Sequence, residues 1–182
     1  MKKNDSHRFD GYLNAVSLSI SYPNAKMFYK LRHSNEEKSW ALLFVDPAVL
    51  WEKRCGFCRF NAADKRVPKG SECALVGSER FSEIFDRSLP SEDHHHLRPC
   101  DPTDPQAEVL VFEPIETSLI RKVVFFDRKD MDLYGDVVQG AERCVDNSWL
   151  DSRYFFLKSQ PRSFERSWKK SNAVVPDDEI PF

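Results

Sequence analysis

The sequence is poor in glycine, has no long apolar run and carries almost no net charge, and each shortage removes a class of function. Its six glycines, Gly11, Gly56, Gly70, Gly77, Gly135 and Gly140, are scattered. No spacing among them makes the phosphate loop of a kinase or NTPase, the dinucleotide fingerprint of a dehydrogenase, or the nucleophile elbow of a serine hydrolase. No apolar stretch approaches a membrane span. The charged start, Met1-Lys2-Lys3-Asn4, is followed by no apolar signal region. The net charge of -2 gives no global attraction to nucleic acid.

Disulfides are not expected either. The five cysteines, Cys55, Cys58, Cys73, Cys100 and Cys144, are odd in number. With no secretory segment, they read as reduced thiols of a soluble, cytoplasmic protein. Cys55-Gly56-Phe57-Cys58 has the spacing of a zinc knuckle or a redox pair. No second ligand pair follows at comparable spacing, so the expectation is two semi-buried thiols and no metal, with a small zinc-binding module as an alternative.

What is present is a globular composition rich in phenylalanine. The 182 residues suit one domain over 1–173 with a loose tail over 174–182. Basic residues cluster between Arg54 and Lys69 and between Arg162 and Lys170; either cluster reads as a solvated face or as a local basic patch.

The pattern predicts mixed strands and helices without a regular βαβ period, hence an α+β fold. Val16, Leu18 and Ile20 alternate with Ser17, Ser19 and Ser21. That is a strand with an apolar face and a serine face, the latter open to a flat ligand or to solvent. Tyr22-Pro23-Asn24 is a turn and Lys26 to Arg32 a helix. Trp40 to Val45 reads as a buried strand, and Asp46-Pro47 starts a short helix. A helix is expected over Ser78 to Arg87, strands over Gln106 to Phe112, Arg121 to Phe126 and Arg153 to Leu157, and a helix from Asp127 to Tyr134. The stretch from Arg59 to Asp104, with Pro68, Pro90, Pro99, Pro102 and a His94-His95-His96 run, is irregular, as functional or mobile segments are.

Glu108 stands out near the start of its strand. It shares a face with Leu110 and Phe112, so partners must stabilise its charge away from water. On pattern alone it reads either as a salt-bridged structural acid or as a functional carboxylate.

Two blocks favour the functional reading. Asp10-Gly11, Asn14 to Ser21 and Pro23-Asn24-Ala25-Lys26-Met27-Phe28-Tyr29 resemble the front block of DarT-like ADP-ribosyltransferases. Asp104-Pro105-Gln106-Ala107-Glu108-Val109-Leu110-Val111 resembles their catalytic block, in the right order and separation. The resemblance spans about Arg8 to Phe126. It implies a split β-sheet core with flanking helices, NAD as substrate, and transfer of ADP-ribose to a base of single-stranded DNA or RNA. It further implies a toxin or phage-defence role and a macrodomain antitoxin as partner. A catalytically inactive remnant that binds nucleic acid or a protein is the alternative.

By the same resemblance Glu108, Lys26 and Asn24 are the expected catalytic residues. Ser19, Ser21 and Tyr29 would bind NAD, and His96 and Arg98 would contact nucleic acid. Relatives carry an arginine where this chain reads Asn24-Ala25-Lys26; a lysine supplies charge there without the bidentate fork. The family's amino-terminal His-Phe-Thr-like segment, whose histidine grips the NAD ribose, has no counterpart before the first block. Only His7 precedes it, in Ser6-His7-Arg8-Phe9. The expectation is a late start, a truncated gene or a rebuilt NAD site.

Overall fold

The computed structural model describes residues 11–88 and 97–150. Asp104 turns the chain into its central strand: its carboxylate accepts from the Gln106 amide at 2.8 Å and its carbonyl from Ala107 at 3.1 Å. The strand that follows, Glu108–Val111, is buried at every position. Such a strand has both faces covered, which is why Glu-Val-Leu-Val carries apolar residues on each.

Numbered along the chain, the strands are β1 (Val16–Ser19), β2 (Ala41–Val45), β3 (Cys55–Cys58), β4 (Glu108–Val111), β5 (Ile120–Phe125) and β6 (Glu142–Val145). The helices are α1 (Ala25–His33), α2 (Val49–Glu52), α3 (Ser78–Glu83) and α4 (Arg128–Tyr134). The strands form two three-stranded sheets, in the orders β1-β4-β3 and β2-β5-β6. The first is antiparallel throughout; in the second, β5 pairs antiparallel with β2 and parallel with β6. This is the α+β class with a split sheet and flanking helices. Among the described residues no helix is long and apolar enough to cross a membrane.

The alternation in β1 sorts side chains as its sequence dictates. Leu18 and Ile20 pack with Val109, Val111, Cys55 and Val49 on one face of the first sheet. On the other face Leu110 and Cys58 pack with Tyr12, Ala62, Val67 and Leu75. Gly56 lets Leu75 and Phe112 close over β3: a Cβ there would stand 3.0 Å from Leu75 Cβ and 3.0 Å from Phe112 Cζ.

Local caps follow the sequence closely. Asn24 caps α1, its Oδ1 accepting from Met27 N at 3.2 Å, and the buried Phe28 anchors that helix on Trp40 and Phe126. Asp46 accepts from the Ala48 amide at 2.8 Å and so closes the turn that leads into α2, but the N-cap position itself falls on Ala48, which offers no side-chain cap. Asp127 caps α4 through Lys129 N at 2.6 Å.

Four expectations need correction or completion. β2 is not buried: it is an edge strand of the second sheet, and Ala41 and Leu43, which share one of its faces, are exposed, Leu43 at 53 %, because no layer of the described residues covers that face. α3 stops at Glu83, short of Arg87, where the chain turns to put Asp86 against Arg59. β6, Glu-Arg-Cys-Val, is a strand the pattern did not suggest; its pairing with β5 supplies what its composition lacks. The strand expected at Arg153 to Leu157 and the tail lie outside the described residues.

Candidate active site

Antiparallel pairing sets Ser19 of β1 and Cys58 of β3 on either side of Glu108. Directly paired residues project to the same face, so Ser17, Ser19, Glu108 and Leu110 share one. Ser17 and Ser19 are exposed while Glu108 is 6 % exposed. The carboxylate thus forms the floor of a face whose β1 side is open.

Two neutral donors orient that carboxylate. Ser17 Oγ donates to Oε2 at 2.9 Å and Asn61 Nδ2 donates to Oε1 at 2.5 Å. Asn61 is itself fixed, because its Oδ1 accepts from Ala63 N at 3.0 Å. A buried carboxylate oriented by hydroxyl and amide donors keeps its charge available to a positive centre.

The segment around Asn61 is tied to the rest of the face. Tyr12 donates from its hydroxyl to the carbonyls of Pro68 and Ser71, at 3.2 and 3.1 Å, and its ring packs on Phe112. Phe57 N bonds Leu75 O at 2.8 Å. The loop after β3 is therefore a wall of the site and not a free connection.

The other expected residues fall in distinct places. Ser19 Oγ accepts from the Asn24 backbone amide at 3.2 Å, which joins β1 to the start of α1. Asn24 is 5 % exposed and works as the helix cap. Lys26 is exposed in the first turn of α1, and Tyr29 is 61 % exposed, stacked on His33. Ser21 has φ 55, an uncommon conformation for a residue with a Cβ. Its buried hydroxyl has no hydrogen bond of good geometry but lies close enough to Asp101 to help hold that acid charged.

Arg98 is committed to Asp101. Its Nη2 donates to Oδ1 at 2.8 Å and its Nε to Oδ2 at 3.1 Å, while its backbone amide donates to Oδ2 at 2.8 Å. Asp101 is fully buried. Burial alone would push its carboxyl up; the Arg98 fork, the Arg98 amide and Ser21 outweigh burial and hold it below the ordinary carboxylate range. Arg87 Nη2 donates to Arg98 O at 2.5 Å, locking the same corner. His96 lies outside the described residues.

Cys55 and Cys58 occupy the two ends of β3, an odd number of residues apart, so they project to opposite faces. Cys58 belongs to one core cluster and Cys55 to the other. Two thiols on opposite faces of a strand cannot grip one ion, which removes the basis of the zinc-module alternative. Burial pushes the Cys55 thiol up, away from thiolate chemistry.

Ser17 and Asn61 are the functional candidates that sequence reasoning missed. The serine stripe signalled Ser17 and its parity with Glu108. Asn61 had no local signal, since it lies 47 residues from its partner.

No curated protein matches the chain. A family model does: that of DarT, ssDNA thymidine ADP-ribosyltransferase, over residues 16–150. The match takes in β1 with its serines, the Asn61 wall and β4 with Glu108, and the chain belongs to the DarT family of ADP-ribosyltransferases.

Proposed function

We propose that the protein transfers ADP-ribose from NAD to a base of single-stranded DNA, thymidine being the base in the family's description. The observation that carries this reading is the Glu108 carboxylate, buried on a sheet face open at β1 and oriented by Ser17 and Asn61.

The chemistry follows from that placement. The bond between the nicotinamide nitrogen and ribose C1 breaks, and its electron pair leaves with nicotinamide. The sugar becomes positive at C1, and Glu108 stabilises that charge across the dry floor of the site. A base nitrogen then bonds to C1, and its proton passes to the carboxylate as general base. Ser17, whose proton goes to Glu108, can still accept from a ribose hydroxyl beside C1, and Ser19, which accepts from the Asn24 amide, can still donate to one. Asn61 is a positioning residue: it fixes the Glu108 rotamer and touches no substrate.

The biological setting we infer is that of a toxin or phage-defence effector acting on cytoplasmic DNA, with a macrodomain antitoxin that removes the mark. Induced expression that halts growth, relieved by a co-expressed ADP-ribosyl-DNA hydrolase of the macrodomain class, is the expected phenotype.

The direct test is incubation with labelled NAD and a single-stranded oligonucleotide. Label should appear on the DNA, and Glu108→Gln should lower the rate by about 100-fold or more. Asn61→Ala should lower kcat with little change in KM, since it misorients the carboxylate without touching the substrate. DNA that stays unlabelled, or labelling that survives Glu108→Gln, refutes the reading.

A further inference from the structure

α1 has a charge pattern that the carboxylate site does not use. It carries Lys26, Lys30, Arg32 and His33 and no acid, in a chain whose net charge is -2. Among the described residues none of its lysines or arginines pairs with a carboxylate.

The arrangement is sided. Lys26, Tyr29, Lys30 and His33 recur at i, i+3, i+4 and i+7, the spacing of one helical face, and all four are exposed. Phe28 points the other way, buried against Trp40 and Phe126. Tyr29 and His33 stack with ring centroids 3.8 Å apart and an interplanar angle of 29°. The stack is fixed: His33 Nδ1 lies 2.9 Å from the Tyr29 carbonyl, and a carbonyl only accepts, so Nδ1 carries the proton.

This face also continues the candidate site. Ser19, opposite Glu108, accepts from the amide of Asn24, and Asn24 caps α1. The helix therefore starts beside the carboxylate and runs about 13 Å from there. Beyond the far end of the helix the cleft is mixed in charge, lined by Arg32, His33 and Lys38 as well as by Glu36, Asp127 and Asp130, so the unmixed basic face is confined to α1 itself.

We propose that the Lys26, Tyr29, Lys30, His33 face of α1 is a contact surface for single-stranded polynucleotide. An unpaired base stacks on the Tyr29–His33 pair, and flanking phosphates meet Lys26 and Lys30. A solvated basic face would not need a fixed aromatic pair between its lysines. An acidic peptide would satisfy the lysines and leave the stacked rings unused. The surface rests on the reading of Glu108 as a DNA-modifying site and gives that site a track for the strand it modifies.

The test is fluorescence anisotropy of a labelled oligothymidylate with the full chain, with no NAD present. Tyr29→Ala should weaken binding about tenfold. Lys26→Ser with Lys30→Ser should flatten the salt dependence, reducing the slope of log K against log salt by about 1.4, or about 0.7 for each phosphate no longer neutralised. Arg128→Ser, an exposed cation on α4, should change neither. Circular dichroism checks that each variant folds, which exposed positions allow. Unchanged affinity and slope in folded variants overturn the proposal, as does wild-type protein that binds no oligothymidylate. So does a polyglutamate peptide that competes as well as the oligonucleotide. Binding that depends on α1 in a protein that transfers nothing keeps this surface and refutes only the activity.

Discussion

The two sheets have strands of similar length but are held together differently. In β1-β4-β3 the central strand is buried at all four positions and both faces are packed with apolar side chains. In β2-β5-β6 the central strand is buried only at Val123, Val124 and Phe125, and surface pairs such as Lys122–Glu142 and Arg121–Asp46 fringe the sheet. The first sheet carries the candidate carboxylate. A rigid, dry support for Glu108 is what charge stabilisation requires, since a carboxylate that must be reoriented during the reaction loses much of its benefit.

The largest contrast should appear in core truncation. Leu110→Ala, at a fully buried position beneath the site, should cost about 2–5 kcal/mol in denaturant unfolding. Leu43→Ala, at 53 % exposure on the edge of the second sheet, should cost well under about 1 kcal/mol. Comparable losses at both positions would mean the sheets are equally packed.

Electrostatics should divide the sheets by pH. Asp101, beside the first, is held below the ordinary carboxylate range by Arg98. Its contribution is complete above the unfolded value of about 4 and is lost as pH falls through the lower folded value. Lys122, on the second sheet, is raised by its hydrogen bond to Glu142. Its contribution is present below the ordinary lysine value and is lost as pH rises through the folded one. Asp101→Asn should cost about 3 kcal/mol near neutrality and flatten the acid limb of a stability–pH curve. Lys122→Met should lower stability slightly below the ordinary lysine value and flatten only the alkaline limb. An acid limb unchanged by Asp101→Asn would remove that acid from its anchoring role.

The smallest contrast is between two glycines. Gly56→Ala drives a methyl against Leu75 Cβ and Phe112 Cζ, both at 3.0 Å in packed core, and should cost about 1–3 kcal/mol. Gly135→Ala meets the Arg143 guanidinium at 3.0 Å, the end of a flexible side chain that can move. It should leave the thermal midpoint nearly unchanged. Equal shifts would show that Leu75 and Phe112 yield as easily as a surface arginine.

Much of this was legible along the chain because it depends on neighbours in sequence. The alternation of Val16 to Ser21 set the two faces of β1. Asp127 announced a helix start by the chemistry of its side chain, and Asp46-Pro47 marked the turn that leads into α2. Parity puts Cys55 and Cys58 on opposite faces, but that their segment is a strand was not legible and came only with its pairing on β4. The burial of β2 was misjudged because an apolar run does not say whether a neighbour will cover it, and β6 was missed because a polar strand is recruited by its partner.

By itself, then, the sequence determined β1, α1, β4, β5 and α4 to within a residue or two, the face on which Glu108 lies and the family to which its blocks are similar, since each depends on residue type and short-range periodicity. The tertiary structure alone decided which groups hold that carboxylate. Ser17 reaches it across a strand pair and Asn61 from a loop 47 residues away, and the committed pairing of Arg98 with Asp101 depends on how an irregular segment packs. Contacts between residues distant in the chain are fixed by the register of β1 and β3 on β4, and no local pattern encodes that register completely.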